Sequence, residues 1–216
     1  MKGIFITGSG TDVGKTFVAL RLIKILNEKY PVKVRKPIES DCEKTSKGLI
    51  PKDAALLAKA CNTDEPLDNV CRFRFESCSS TEKASKDEGV EISLDDLVDA
   101  CKSNINSDYV VVEGAGGIYS PIAKNALNSD LAQRLGLPVV LVVNDELGAI
   151  NQALLVAKAA EQQRLDIGMI VLNQVTKNKL DNKQAIQSYT KIPVLEFNKS
   201  KPNDFNEKAK ELIYKL

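Results

Sequence analysis

Gly8-Ser9-Gly10-Thr11-Asp12-Val13-Gly14-Lys15-Thr16 is the stretch on which the reading of this chain turns. An apolar run, Lys2 to Thr7 (KGIFIT), precedes it and reads as a short strand. Phe17 to Lys29 follows with apolar residues at helical spacing, Phe17, Leu20 and Ile23 among them. A glycine turn between a strand and a helix, closed by Gly-Lys-Thr, is the setting of a phosphate-binding loop. The chemistry needs these residue types. Glycines let backbone N–H groups converge on phosphate oxygens without an obstructing Cβ. The following helix adds unpaired N–H groups and the positive end of its dipole. Lys15 is long enough to reach β- and γ-phosphates, and the Thr16 hydroxyl suits Mg²⁺. One detail departs from the standard spacing. The first glycine belongs five residues before Gly14, where this chain has Ser9, and Gly8 stands one place earlier. A strand-to-helix turn with a chance Gly-Lys-Thr is the alternative.

Outward from the loop, near-continuous apolar runs alternate with helical patterns. Val32 to Lys36 reads as a second strand stopped by Pro37, and Tyr109 to Val112 as a third that ends on Glu113. The glycine-rich Gly114-Ala115-Gly116-Gly117 follows it. Pro138 to Asn144 and Ile167 to Asn173 are two more strands, separated by a helix over Leu147 to Gln163. Asp53 to Cys61 and Ser93 to Lys102 read as helices, with Ser93 as an N-cap. Strands apolar on both faces, alternating with helices, predict an α/β fold: a mainly parallel sheet with helices on both faces. No repeat or linker divides the chain, so residues 1–216 are expected to form a single domain of the P-loop type. Between Thr63 and Gly89 the patterning is weakest, and an irregular surface excursion is expected there.

Composition narrows the function. Hydrophobic residues make up 43% of the 216 and charged residues 27%, which is globular usage. A net charge of +1 with both signs interspersed argues against a nucleic-acid binder, which needs clustered positive charge. The longest apolar stretch, Leu137 to Val143, is too short to span a membrane, and no signal segment precedes the first strand. Five cysteines without a CxxC pair suit free thiols in a reducing compartment, so a cytoplasmic protein is expected. The chain has no histidine, which removes Ser-His-Asp and Cys-His catalysis and His-ligated metals together.

Four further residues are candidates beside the loop. Glu113, a carboxylate at the end of a buried strand, is placed to serve an Mg²⁺-nucleotide site, with a solvated turn residue as the alternative. Asp53 taken alone reads as the N-terminal charge or cap of its helix. Lys36 follows the second strand at the end where open α/β sheets bind ligands, but alone reads as an ordinary exposed lysine. Ser40 by itself carries no signal.

With Lys36-Pro37-Ile38-Glu39-Ser40, Glu113 to Gly117, and Leu147-Gly148-Ala149-Ile150-Asn151 set beside the loop, the chain resembles the dethiobiotin synthetase family over most of its length. The resemblance implies an ATP-dependent ligase that closes a ureido ring from 7,8-diaminopelargonic acid, CO₂ and ATP. It implies nucleotide binding by Asp12, Val13, Gly14, Lys15, Thr16, Phe17, Gly114, Ala115 and Gly116, with Asn173 reading the base. Thr16, Asp53 and Glu113 match the family's Mg²⁺ positions, which promotes Asp53 from cap to ligand. Lys15, Lys36 and Thr11 match catalytic positions, and Thr11, Lys36, Ser40 and Gly117 hold the diamine or its carbamate. Leu147 to Asn151 in such proteins comes from the neighbouring subunit and receives the substrate carboxylate, which implies a homodimer with shared active sites. Asp12 stands where glutamate is common. After Asn173 the agreement thins: a longer Gly-x-Ile-Pro segment of the family is reduced to Ile192-Pro193-Val194-Leu195 and a polar stretch. Weak discrimination among nucleoside triphosphates is therefore expected.

Three other P-loop readings compete. A partition- or nitrogenase-type dimeric switch ATPase carries an extra lysine four residues before the last loop glycine, where this chain has Gly10. A signalling GTPase needs Asn-Lys-x-Asp, and Asn173-Gln174-Val175-Thr176 lacks it. A glutamine-dependent relative needs a glutaminase domain with a Cys-His pair, and there is no histidine.

Overall fold

The computed structural model describes residues 1–106, 108–176, 178–198 and 202–216. The first half of the chain runs β1 (Lys2–Gly8), α1 (Lys15–Leu26), β2 (Val32–Arg35), β3 (Ile38–Glu39), β4 (Glu43–Thr45), β5 (Gly48–Ile50), α2 (Lys52–Ala60), α3 (Leu67–Val70), β6 (Phe73–Arg74), α4 (Thr81–Asp87) and α5 (Leu94–Lys102). The second half runs β7 (Tyr109–Gly117), β8 (Pro121–Ala123), β9 (Ala126–Leu127), α6 (Asn128–Leu135), β10 (Val139–Asn144), α7 (Ala149–Gln162), β11 (Ile167–Gln174), α8 (Asn182–Gln187), β12 (Val194–Asn198) and α9 (Pro202–Ile213).

Six strands form one sheet in the order β12-β11-β10-β1-β7-β2, and every neighbouring pair is parallel. Side chains alternate across it. Ile4 and Ile6 of β1 pack in one cluster with Val18, Leu22 and Leu26 of α1 and Phe205 of α9. Phe5, between them, faces the other way into a cluster with Leu97 of α5 and Leu131 of α6. Leu141, Val143 and Ile170 meet Ala149 and Ala153 of α7 on that second face. Both faces are thus apolar, which is why the strands read as continuous rather than alternating runs. Each fully buried Leu or Ile contributes about 1.5–3 kcal/mol.

The topology places the site. β1 leads through α1 to β2 on one flank, whereas β7 leads through α6 to β10 on the other. The chain diverges at β1, and a crevice opens at the carboxyl ends of β1, β7 and β10. The loop after β1, Lys36 after β2 and the tail of β7 all lie at that end.

Several expected boundaries shift for identifiable reasons. α1 begins at Lys15 rather than Phe17, because Gly14 in the left-handed conformation (φ 89°) is its N-cap. It stops at Leu26, where Asn27 turns its amide to the Ala60 carbonyl at 2.8 Å. α7 begins at Ala149 rather than Leu147, since Gly148 takes φ 97°. The strand expected to end at Glu113 runs on: β7 continues through the glycine-rich segment, and Gly117 pairs with Gly8. Residues 63–89 are not an irregular excursion. They hold α3, β6 and α4, with Val70, Cys71, Phe75 and Ala84 buried. Helices this short show too little periodicity to read in sequence. Past Leu195 the polar stretch forms the rest of β12 and α9, where the tilted rings of Phe197 and Phe205 pack at 4.8 Å between centroids. Residues 199–201 of that stretch lie outside the described residues. All five cysteines are free, as expected.

Candidate active site

The loop wraps the carboxyl end of β1. Ser9 N donates to the Val142 carbonyl at 2.9 Å, and Ser9 Oγ donates to Gln152 Oε1 of α7 at 2.9 Å. The ring is closed by Lys15, whose Nζ donates to the Gly10 carbonyl at 3.0 Å. Glycine is required at position 14 twice over: by φ 89°, and because a Cβ there would lie 2.0 Å from Asn173 Nδ2. The early Gly8 also has a steric cause. A Cβ on it would lie 2.6 Å from Val13 Cγ2 and 2.8 Å from the Gly10 carbonyl, inside the curl of the loop. Burial lowers the Lys15 pKa from the usual lysine value, helped by repulsion from Lys36; attraction to Glu113, Asp53 and Asp12 does not cancel these. A buried lysine whose ammonium meets a loop carbonyl, at the N-terminus of a helix, is suited to a polyanion.

Glu113 is the hub of the site. It sits in β7 opposite Ile6 and is 0% exposed. Its Oε1 accepts from Lys36 Nζ at 2.6 Å and from the Thr16 hydroxyl at 2.8 Å. Lys36 Nζ also lies 3.3 Å from Asp53 Oδ2 in the first turn of α2. Burial alone would depress the Lys36 pKa, but attraction to Glu113, Asp53 and Glu39 outweighs it and the group is raised, hence firmly cationic. Neither the solvated-turn reading of Glu113 nor the exposed-lysine reading of Lys36 survives: both side chains are buried, at 0% and 5%. Asp53 is both things the sequence left open, a first-turn charge on α2 and a neighbour of the cluster.

Glu113 Oε2 is buried and has no hydrogen-bond partner among the described residues. A carboxylate oxygen left bare at a nucleotide loop needs a ligand to explain it. Together with the Thr16 hydroxyl and Asp53 it offers the hard oxygen donors that Mg²⁺ takes. Among the described residues no group of three His, Cys, Asp or Glu side chains forms an all-protein cage.

The tail of β7 is fixed from behind by Asn128 at the start of α6. Its Nδ2 donates to the carbonyls of Ala115 and, at 2.8 Å, Gly117, while Oδ1 accepts from Ala115 N at 3.3 Å. Gly114 lies against the same amide, and Gly117 N donates to Ser120 Oγ at 2.8 Å. Asn128, Glu39 and Gln152 are structural members of the site that the sequence reading missed. Their partners lie 11 to 143 residues away, and no local pattern announces such contacts.

Lys15, Thr16, Lys36, Asp53 and Glu113 come together, with Gly114 to Gly117 beside them. The remaining candidates sit further out. Thr11 and Asp12 are exposed on the loop, Asp12 at φ 58°, while Val13 is buried. Phe17 lies at the surface with its ring 6.0 Å from Phe197. Asn173 is buried at the end of β11, where its Nδ2 donates to the Val13 carbonyl at 3.0 Å. Its amide therefore supports the loop. Ser40 Oγ donates to the Ser79 carbonyl at 2.8 Å, toward α4. Leu147 is 89% exposed, Gly148 and Asn151 are exposed, Ile150 is half-buried and Ala149 is buried.

A glycine loop bearing a buried lysine, set on a parallel sheet with an acidic strand end beside it, defines a P-loop nucleotide-binding protein. The AAA domain family matches residues 2–196. In fold the chain is similar to a plasmid partition protein of Borrelia burgdorferi, with a TM-score of 0.58, 11% identity, and coverage of 99% of this chain and 96% of that one. Much nearer in sequence is an ATP-dependent dethiobiotin synthetase of Ruthia magnifica subsp. Calyptogena magnifica, 55% identical over 99% of each chain. A second, from Vesicomyosocius okutanii subsp. Calyptogena okutanii, is 52% identical over 99% of this chain and 97% of its own. The chain belongs to the ATP-dependent dethiobiotin synthetase family, whose members are ligases. The resemblance read from the motifs is thereby established, while the likeness to partition proteins is one of fold alone.

Proposed function

We propose that residues 1–216 work as one domain that forms dethiobiotin from 7,8-diaminopelargonic acid, CO₂ and ATP. The observation that carries the proposal is the junction at Glu113, which joins the loop's Thr16 to Lys36 on the side facing the second strand. One amine of the diamine attacks CO₂ and loses a proton, giving a carbamate. A carbamate oxygen then attacks the γ-phosphorus as the bond to ADP breaks. The second amine attacks the carbamoyl carbon, closes the ring and expels phosphate. No covalent enzyme intermediate is required, so the protein's part is alignment and charge neutralisation.

Lys15 and the N-terminus of α1 neutralise the phosphates, and Lys36 stabilises the carbamate oxygens and the transferring phosphoryl group. Thr16, Asp53 and Glu113 would hold Mg²⁺, which would supply positive charge at the phosphate oxygens. Thr11 and Ser40, on the rim, hold the diamine or its carbamate. Asn173 lines the base side of the loop. With the segment after Asn173 reduced to Ile192-Pro193-Val194-Leu195 and a polar stretch, base discrimination is weak, and ATP is favoured without excluding GTP or CTP. Leu147 to Asn151 serves a second copy of the chain. The exposure of Leu147 and an α7 N-terminus that no side chain caps suit a carboxylate brought by a neighbouring subunit. Among the described residues no helix is long and apolar enough to cross a membrane. A cytoplasmic homodimer without nucleic-acid or membrane partners is the setting we infer.

Phosphate release measured with each of the four nucleoside triphosphates, with and without diamine and bicarbonate, tests the reading. Release that requires both diamine and bicarbonate is expected. Hydrolysis indifferent to the diamine but stimulated by DNA or a protein would overturn it.

A further inference from the structure

Glu39 lies in the run that carries Lys36 and Ser40, yet it has no part in the reaction just described. Its carboxylate is buried, 6% exposed, and both oxygens are used. Oε1 accepts from Asp53 N and Oε2 from Ala54 N, each at 2.9 Å. These are N–H groups of the first turn of α2, whose N-cap residue Pro51 offers no side-chain cap. Glu39 therefore caps α2 from a different element, satisfying orphan donors and placing negative charge at the positive end of the helix. Its own backbone is anchored: the Glu39 carbonyl accepts from Phe75 N at 3.0 Å, and β3 pairs with β6.

The segment 36–39 thus grips one helical turn twice. Lys36 meets the Asp53 side chain at 3.3 Å, and Glu39 holds the Asp53 backbone. The Asp53 side chain is 44% exposed and meets Lys36 at its tip, while the hold on its backbone sets the point from which it reaches toward the buried cluster. We propose that Glu39 is a positioning residue: its two-oxygen grip on α2 aims the Asp53 carboxylate at the cation site shared with Glu113 and Thr16. The inference rests on the reading of Asp53 as an Mg²⁺ ligand. Glutamine at this position keeps the shape but replaces one acceptor by an amide donor facing an N–H group, so the grip cannot be made with both atoms.

The test uses the full-length protein and the variants Glu39→Gln, Asp53→Asn, Glu113→Gln and the double Glu39→Gln/Asp53→Asn. Two readouts are taken: free Mg²⁺ at half-maximal phosphate release, and free Mg²⁺ at half-maximal thermal shift with ADP, which needs no turnover. Glu39→Gln should raise both values by about 10-fold or more, the usual loss when a ligand's supporting hydrogen bonds go. The double variant should be no worse than Asp53→Asn alone, because Glu39 acts through Asp53. Glu39→Asp, which keeps the charge but cannot span both N–H groups, should move the same way and stands in if the glutamine variant does not fold. A lowered thermal midpoint with unchanged Mg²⁺ values would reduce Glu39 to a structural cap. Multiplied defects in the double variant would show that it acts independently of Asp53. Either result overturns the proposal. If Asp53→Asn leaves Mg²⁺ values unchanged while Glu113→Gln shifts them, the metal role of Asp53 is itself wrong and the inference falls with it.

Discussion

Replacing Lys36 with methionine should destabilise the protein before it says anything about catalysis. The side chains of Lys36 and Glu113 are 5% and 0% exposed, and the ammonium sits 2.6 Å from the carboxylate. Removing one partner of a buried pair leaves the other charge without compensation, typically a loss of about 3–5 kcal/mol. The Thr16 hydroxyl still donates to the same oxygen and offsets about 1 kcal/mol, leaving a loss of about 2–4 kcal/mol. For a chain of this size that is a fall of roughly 4–16 °C in thermal midpoint. The assay is calorimetric or urea unfolding without nucleotide or Mg²⁺, alongside the double variant Lys36→Met/Glu113→Gln. The double variant should recover most of the loss, because no bare charge remains. The pH dependence has a definite sign. Lys36 is raised above the ordinary lysine value of 10.5, so its contribution is complete below that value and is lost as pH rises through the higher folded one. The deficit of Lys36→Met should therefore stay flat from neutrality to about pH 9 and shrink only in stronger alkali. A midpoint within about 1 °C of the parent, or a double variant worse than the single, would refute the reasoning.

Gly14→Ala should weaken nucleotide binding by about 10-fold or more, because left-handed backbone and the clash with Asn173 Nδ2 act together at roughly 2 kcal/mol. Adding Asn173→Ala should restore only part of it, as calorimetric titration with ADP would show; full restoration would mean that the backbone conformation is irrelevant. Asn128→Leu should lower stability by about 2–3 kcal/mol and disturb the tail of β7, since it strips the carbonyls of Ala115 and Gly117 of their shared donor. Urea unfolding measures the loss, and an unchanged midpoint would count against Asn128 as the anchor.

The fold was legible because it rests on patterns the chain repeats. Runs such as Val139 to Val143 are apolar on both faces, and only a covered parallel sheet accommodates that. The loop and Glu113 were legible because their chemistry is local: glycines, a lysine and a hydroxyl in order, and an acid ending an apolar strand. What escaped the sequence is contact between distant segments. Lys36 alone reads as a surface lysine, and only the parallel pairing of β2 with β7 sets it against Glu113. Asn128 and Glu39 serve backbone groups elsewhere in the chain, so their own surroundings in sequence carry no trace of the task. The segment 63–89 was misjudged for a related reason. The four-residue α3 buries Val70 alone and the seven-residue α4 buries Thr81, Ala84 and Ser85, and helices this short show no period.

One atom has a wider consequence. Glu113 Oε1 takes a hydrogen bond from the nucleotide loop and another from Lys36, so the two halves of the crevice share an acceptor. An occupant on one side that draws Thr16 away hands that oxygen wholly to Lys36, and an occupant that draws Lys36 away hands it to Thr16. Affinities on the two sides are then linked, and the linkage is reciprocal: whatever factor the nucleotide imposes on its co-substrate, the co-substrate imposes on the nucleotide. An inhibitor built to fill one half will accordingly show a potency that depends on what already occupies the other.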